Sequence, residues 1–172
     1  MTGEDTVHDN ARLRLRTPAH TLHERAVTWW RTQWLLTTAV LGAALAVTAW
    51  LAEPVRGWAA AAAGAVAAAG LAGTVFLPRW WYTVHRWEVT DEAVYVRTGY
   101  FWQEWRIAPM SRIQTVDTVR GPLEQVFRLA TVTVTTASAK GAITIAGLDH
   151  EVAADLARRL TRIAQATPGD AT

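Results

Sequence analysis

Two long runs of apolar residues dominate the first half of the chain. Trp34–Ala52 and Trp58–Leu77 contain no charged side chain, and only Glu53 and Arg56 between them carry charge. Each run is about 20 residues long, and at ~1.5 Å per residue such a helix crosses the roughly 30 Å hydrocarbon core of a bilayer. The pattern predicts transmembrane helices at 34–52 and 58–77, joined as a hairpin by an external loop at 53–57.

Tryptophans gather at the ends of both runs. An indole ring is amphipathic and is favoured where water meets lipid. We therefore predict that seven of the ten tryptophans act as membrane-interface anchors. They are Trp29, Trp30, Trp34, Trp50, Trp58, Trp80 and Trp81.

Arginines are enriched on the flanks outside the hairpin. Five arginines precede the first run, whereas the connecting loop contains only Arg56. Basic flanks are retained on the cytoplasmic side of a membrane, so we predict a multi-pass protein of the cytoplasmic (inner) membrane with both termini cytoplasmic. A cleaved signal peptide is disfavoured, because the first apolar run begins after residue 33 and a second run follows at once.

The segment before the first span divides into two parts. Residues 1–20 are polar and read as a flexible N-terminal tail. Thr21 and Glu24 match a capping box, which predicts a juxtamembrane helix over 21–33. This helix either lies along the membrane surface or is an extension of the first span.

Small residues recur at helical spacing within the two spans. Such residues let helix backbones approach closely in lipid. The predicted helix-packing positions are Gly42, Ala46, Gly64, Ala68 and Gly70. They serve either the contact within the hairpin, which the short loop favours, or association of several copies.

From residue 79 the pattern changes to short alternating runs separated by turn residues. These runs predict about seven strands, the first over Tyr82–Val89 and another over Phe101–Ile107. Asp149 then begins an amphipathic helix whose apolar stripe includes Val152 and Leu156. The predicted fold class is therefore an α+β membrane protein, with a cytosolic antiparallel β-sandwich or barrel over 79–166 capped by a C-terminal helix. Residues 167–172 form a C-terminal tail.

Several motifs of this module resemble one protein family. The run RIAPMSRIQ at 106–114, followed by GPL at 121–123 and FRLA at 127–130, is similar to the core of the bacterial pleckstrin-homology membrane proteins, the YdbS-like family. The likeness covers about residues 20–165, including the two spans. Arg128 stands where that family usually has glycine, and Ser138 replaces another common glycine.

The resemblance implies a pleckstrin-homology-like (PH-like) sandwich and no agreed biochemical activity. Arg112 and Gln114 are its most distinctive polar pair. They either bind a partner at a loop or strand edge, or brace the fold, with Arg112 on a turn carbonyl or carboxylate and Gln114 on buried backbone groups. The structural interpretation is favoured.

Composition and motifs argue against several function classes. The chain has no cysteine, and its histidines form no metal-ligand spacing, so we expect no metal and no cofactor. No nucleophile, phosphate-loop or dinucleotide motif is present, so we expect no catalytic residues and no enzyme activity. A net charge of +2 argues against nucleic acid as a partner.

The sequence thus predicts a non-catalytic, membrane-anchored binding or scaffold module at the cytoplasmic membrane surface. Its expected partners are another membrane protein, a second copy of itself, or both, with anionic lipids attracted nonspecifically to the arginine flanks. The alternative is a sensor of anionic lipid surfaces. An enzyme or a pore-forming oligomer is less favoured, because neither span contains an ionisable residue.

Overall fold

The computed structural model describes residues 17–99, 102–138 and 141–166. Residues 1–16 of the predicted N-terminal tail (1–20), the predicted C-terminal tail 167–172 and Phe101 of a predicted strand lie outside these ranges. The described elements are four α-helices and seven strands, in the following chain order: β1 His20–Thr21, α1 Arg25–Leu51, α2 Arg56–Val84, β2 Arg86–Val89, β3 Ala93–Thr98, β4 Glu104–Pro109, β5 Ile113–Val119, α3 Pro122–Val126, β6 Leu129–Thr136, β7 Ile143–Asp149 and α4 His150–Ala166.

Helices α1 and α2 form an antiparallel hairpin joined by a 3₁₀ turn at Glu53–Val55. They contain 27 and 29 residues, and both are long and apolar enough to cross a membrane. Each therefore exceeds the ~20 residues that a hydrocarbon core requires. The strand predicted from Tyr82 begins only at Arg86, because α2 continues through Pro78 to Val84.

The capping box predicted at Thr21 does not form. Thr21 instead pairs with Arg86 in the sheet, and α1 begins at Arg25 with no side-chain cap at Glu24. The competing interaction is the β-ladder, whose backbone hydrogen bonds require extended geometry at residue 21. The helix then runs without a break to Leu51, so residues from Arg25 onward extend the first apolar run rather than forming a separate surface helix.

The strands form two antiparallel sheets, ordered β1-β2-β3-β4 and β5-β6-β7. This arrangement of apolar helices, antiparallel sheets and C-terminal helix confirms the predicted fold class. All strands were expected to follow the two spans, but β1 precedes them. The other described strands do follow the spans. The helical hairpin is therefore an insertion between two neighbouring strands of one sheet.

The core of the module lies between the sheets and is closed by α4. Alternating residues of β6 point inward, and Leu129, Val132 and Val134 are completely buried. The Asp149 side chain accepts a hydrogen bond from the Glu151 amide (2.9 Å), which confirms Asp149 as the cap of α4. The buried stripe of this helix is Ala153, Leu156 and Leu160, whereas Val152, which was predicted to face the core, is 44% exposed.

Candidate functional site

The start of α1 and the end of α2, which are predicted to lie on the cytosolic side, pack against the module through aromatic rings. Trp30 contacts Trp81 edge-to-face with 5.7 Å between ring centroids, and Trp29 stacks on Trp30 at 5.9 Å. Trp34 also approaches Trp81 at 6.2 Å. This cluster joins the hairpin to the sandwich core, to which Trp29 and Trp30 belong.

The burial of this cluster changes the interpretation of two predicted anchors. Trp29 and Trp30 are only 9% and 8% exposed, so their rings contact protein rather than a lipid boundary. Trp50 and Trp58, at the far end of the hairpin, are strongly exposed, and Trp80 is 41% exposed. The role of the exposed tryptophans as membrane anchors stays a prediction.

The start of α1 is held directly against β7. The His23 amide donates a hydrogen bond to the Gly147 carbonyl (3.1 Å), and the Arg25 guanidinium lies 3.4 Å from an Asp149 carboxylate oxygen. β7 contains a bulge here, since Ala130 pairs with Leu148 but Val132 pairs with Ile145. The bulge places Gly147 at φ +75° beneath Ala26.

Electrostatics favour the ionised form of Asp149 at this contact. Partial burial raises the pKa of its carboxyl group, but the hydrogen bond from the Glu151 amide and the nearby His150, His23 and Arg25 outweigh it and lower the pKa. The ionised Asp149 side chain therefore caps α4 and also pairs with the Arg25 guanidinium at the start of α1. Its ion pair with Arg25 is partly exposed, so we assign it positioning rather than large stabilisation.

The end of α2 is held by Arg97 of β3. The Arg97 Nε donates to the Val84 carbonyl (2.9 Å) and its Nη2 donates to the Thr83 carbonyl (3.3 Å). These are terminal carbonyls that lack partners within the helix, and a cation there also complements the helix dipole. Its guanidinium carbon lies 5.9 Å from the centre of the Trp105 ring.

His85 follows α2 and is surrounded by this junction. Its Nδ1 lies 2.8 Å from the Trp81 carbonyl, and its ring is 5.6 Å from that of Trp30. Burial lowers the pKa of His85, an effect that the charge of Arg97 reinforces and the hydrogen bond to Trp81 opposes. The neutral imidazole is the form that fits the junction.

Arg112 and Gln114 lie together where β5 begins. Arg112 ends the 3₁₀ turn Met110–Arg112, and its backbone carbonyl accepts a hydrogen bond from the Ala137 amide (3.2 Å). Gln114 occupies an irregularity in the pairing of β5 with β6, between Ile113 and Thr115. Both side chains are exposed.

The bracing role favoured for these two side chains is not seen among the described residues. Within that part of the chain neither side chain makes a hydrogen bond or an ion pair, and only the main chain of Arg112 supports the turn. Among the described strands, β5 pairs with β6 alone, so no described strand pairs with its other edge. The pair thus marks the start of an unpaired strand edge.

The small residues of the two spans occupy different faces. Gly70 contacts α1 so closely that a methyl group in place of its hydrogen would overlap the Thr38 side chain. A β-carbon at Gly42 or Gly64 would meet nothing within 4 Å, and Ala46 and Ala68 are exposed. Of the five predicted packing positions, Gly70 therefore serves the hairpin contact, and the exposed ones point away from it.

Other polar groups of the module have structural partners. Glu124, which is buried, accepts hydrogen bonds from the Gly121 amide (2.7 Å) and the Thr131 hydroxyl (2.6 Å). Arg106 of β4 donates to the carbonyls of Gly141 and Ala142, which ties the first sheet to the second. In the described residues, no group of three or more histidine and acidic side chains is arranged to hold a metal ion.

The sequence indicated only some of these contacts. Arg97 is one of the basic residues that follow the second apolar run, but its role in holding the end of α2 depends on pairing between distant strands. Gly147 lies inside a strand pattern, where an isolated glycine signals a bulge or a close backbone approach.

The family model described as Bacterial PH domain matches residues 35–164. The chain belongs to the bacterial PH domain family. It is 36% identical over 114 residues to the UPF0699 transmembrane protein YdbS of Bacillus subtilis (strain 168), a match that covers 66% of this chain and 70% of the relative. No solved structure matches.

Membership in the bacterial PH domain family confirms the resemblance carried by the motif around Arg112 and Gln114. Because the match begins within α1, it includes most of the helical hairpin as well as the sandwich. Together with the transmembrane relative and the two long apolar helices, it identifies α1 and α2 as transmembrane helices. At position 128, where the resemblance led us to expect glycine, Arg128 adopts a left-handed conformation at φ 54°, which glycine adopts without strain.

Proposed function

We propose that this protein is a non-catalytic scaffold that presents its PH-like module at the cytoplasmic face of the inner membrane. The observation that carries the proposal is the unpaired edge of β5, which begins at the exposed Arg112–Gln114 corner. An unpaired strand edge offers backbone donors and acceptors that a further strand can pair with. Arg112 adds a guanidinium that can meet a carboxylate beside that strand.

The proposed partner is another membrane protein or a second copy of this chain. The module is attached to the spans without a free linker, since α2 leads into β2 through His85 alone. A partner must therefore reach the β5 edge close to the membrane surface. Of the seven residues of β5, Ile113 is buried, Val116 is half-buried and the other five are exposed, so most of these side chains are not needed for the core.

Site-directed photocrosslinking in native membranes tests this proposal. A photoreactive residue at Gln114 should give one discrete crosslinked species, either with itself or with a partner identified by mass spectrometry. A residue at Arg158, exposed on α4, is the matched control and should not give that species. Thr118→Lys, which adds charge to the edge strand, should abolish the crosslink without unfolding the protein. A Gln114 signal indistinguishable from that of Arg158 would contradict the scaffold.

An anionic-lipid sensor is the alternative function, and extraction into native lipid discs separates it from the scaffold. A scaffold should retain a stoichiometric protein partner or a second copy in the disc. Enrichment of anionic lipid alone, weakening smoothly with salt, would instead favour the sensor, because exposed charges are screened.

The proposed orientation has its own test. The chain contains no cysteine, so a single cysteine can be placed in the loop at Val55, which is exposed, or at Thr161 of α4. In intact cells a membrane-impermeant maleimide should label Val55→Cys and spare Thr161→Cys. Labelling of the second variant alone would reverse the proposed topology.

A further inference from the structure

One row of paired residues crosses the first sheet where the spans attach. Thr21 pairs with Arg86, Arg86 with Arg97, and Arg97 with Trp105. Beyond this row lie the chain leading into α1, the end of α2 and the turn between β3 and β4. The β3–β4 turn therefore lies at the same end of the sheet as both transmembrane helices.

Side-chain contacts fix this turn to the helix end. Arg97 belongs to β3 and donates hydrogen bonds to the last carbonyls of α2, at Thr83 and Val84. Gly99 then turns the chain at φ +123°, and a β-carbon there would lie 2.9 Å from the Trp102 carbonyl carbon. The Trp102 carbonyl thus lies against Gly99.

The turn presents an aromatic surface. Trp102 is 86% exposed, comparable with the 77% of Trp50 and 83% of Trp58 at the far ends of the spans. Trp105, at the base of β4, is 37% exposed and lies beside the Arg97 guanidinium. A large exposed indole is unusual in water but favourable where lipid headgroups meet the acyl chains.

The distances permit contact with lipid. If Trp58–Leu77 fills the hydrocarbon core, the seven residues Pro78–Val84 carry α2 about 10 Å beyond it, at ~1.5 Å per residue. The headgroup layer occupies roughly 5–8 Å of that distance. β3 runs antiparallel to β2 and therefore returns toward the end of α2. The two residues that follow Arg97 extend the chain by about 7 Å further toward the membrane.

We infer that Trp102, just before β4, is a third membrane contact and enters the headgroup layer of the bilayer beside α2. Trp102 is the anchor, and Arg97 positions it by tying β3 to the helix end. With two spans and Trp102, three points of attachment fix the orientation of the module on the membrane. The inference depends on the transmembrane hairpin and is independent of the proposed scaffold function.

Spin-label accessibility in the full-length protein tests this inference. Because the chain lacks cysteine, Gln103→Cys and Glu92→Cys give single labelling sites, and both positions are exposed. Glu92 lies in the β2–β3 turn at the opposite end of the same strands and is the matched control. The proteins are reconstituted in vesicles of phosphatidylcholine and phosphatidylglycerol and probed with oxygen and a water-soluble nickel chelate.

The expected result is a label at position 103 that is relaxed more by oxygen than by nickel, and a label at 92 with the reverse preference. Trp102→Ala should remove the oxygen preference at 103, whereas Trp102→Tyr should retain it, because tyrosine also favours the interface. Equal thermal midpoints of the two Trp102 variants show that folding is intact.

Three outcomes would overturn the inference. A label at 103 as accessible to nickel as the label at 92 places the turn in water. A label shielded from both agents places a protein surface, from a partner or a second copy, over the turn. An oxygen preference that survives Trp102→Ala shows that Trp102 is not the anchor.

Discussion

Ala26 of α1 lies directly on Gly147 of β7, so close that a β-carbon at position 147 would stand 2.9 Å from the Ala26 Cβ. This contact seats the first transmembrane helix on the sandwich, and it requires the absence of a side chain. Ala26 and Gly147 are far apart in sequence, and the contact between them joins the membrane hairpin to the module.

Gly147→Ala should destabilise the protein more than Gly141→Ala. Both glycines have positive φ, at 75° and 74°, so each substitution incurs the left-handed penalty of about 1–2 kcal/mol. A β-carbon at Gly141 meets nothing within 4 Å, whereas at Gly147 it crowds Ala26 and adds about 1–3 kcal/mol of overpacking. Denaturant titration in mild detergent measures both; equal losses would contradict the contact.

Gly70→Ala should weaken the transmembrane hairpin, while Gly64→Ala should not. The new methyl group at position 70 would overlap Thr38 and force the helices apart, at about 1–3 kcal/mol. At position 64 it would project into open space. Resistance to unfolding by a denaturing detergent should fall for the first variant only, and a loss shared by both would show that the exposed glycine face is also packed.

Arg128→Gly should stabilise the module by about 1 kcal/mol. Arg128 has φ 54°, where an L-residue with a β-carbon is strained and glycine is not. Arg128→Ala keeps the β-carbon and is the control for loss of the charged side chain, so it should give no comparable gain. Thermal midpoints of the three proteins decide the matter, and equal gains from glycine and alanine would assign the effect to the side chain instead.

The protein should lose stability as the pH falls below about 6.5, and His85 should account for part of that loss. Burial lowers the pKa of folded His85 below the usual histidine value of 6.5. Between the folded and unfolded pKa values the unfolded chain binds the proton more tightly, so acidification favours unfolding and the stabilising contribution is lost as the pH falls.

Thermal midpoints of wild type and His85→Gln between pH 7.5 and 5 measure this contribution. The variant should show a shallower decline, because its side chain does not titrate. The lowered pKa of Asp149 also makes the protein less stable on acidification, but only below the usual aspartate value of 3.8, outside this interval. Identical slopes for the two proteins would remove His85 from the pH response.

Local sequence patterns were sufficient for much of this molecule. Two charge-free runs predict transmembrane helices because a bilayer excludes charge along its whole thickness, whatever the neighbouring fold. The cap at Asp149 and the amphipathic stripe at Leu156 and Leu160 also follow from near neighbours in the chain. The motif ending in Arg112 and Gln114 identified the family, although it did not show that both side chains are exposed.

What tertiary structure decided depends on contacts between residues distant in sequence. Thr21 has the sequence of a helix cap but forms a strand, because Arg86, beyond the entire hairpin, is its pairing partner. Trp29 and Trp30 have the same side chain as Trp50 and Trp58 and also lie near the end of an apolar run. Only the first two are buried against the sandwich. Helical periodicity fixes which residues share a face, but the packing of distant elements determines whether that face meets lipid, water or protein.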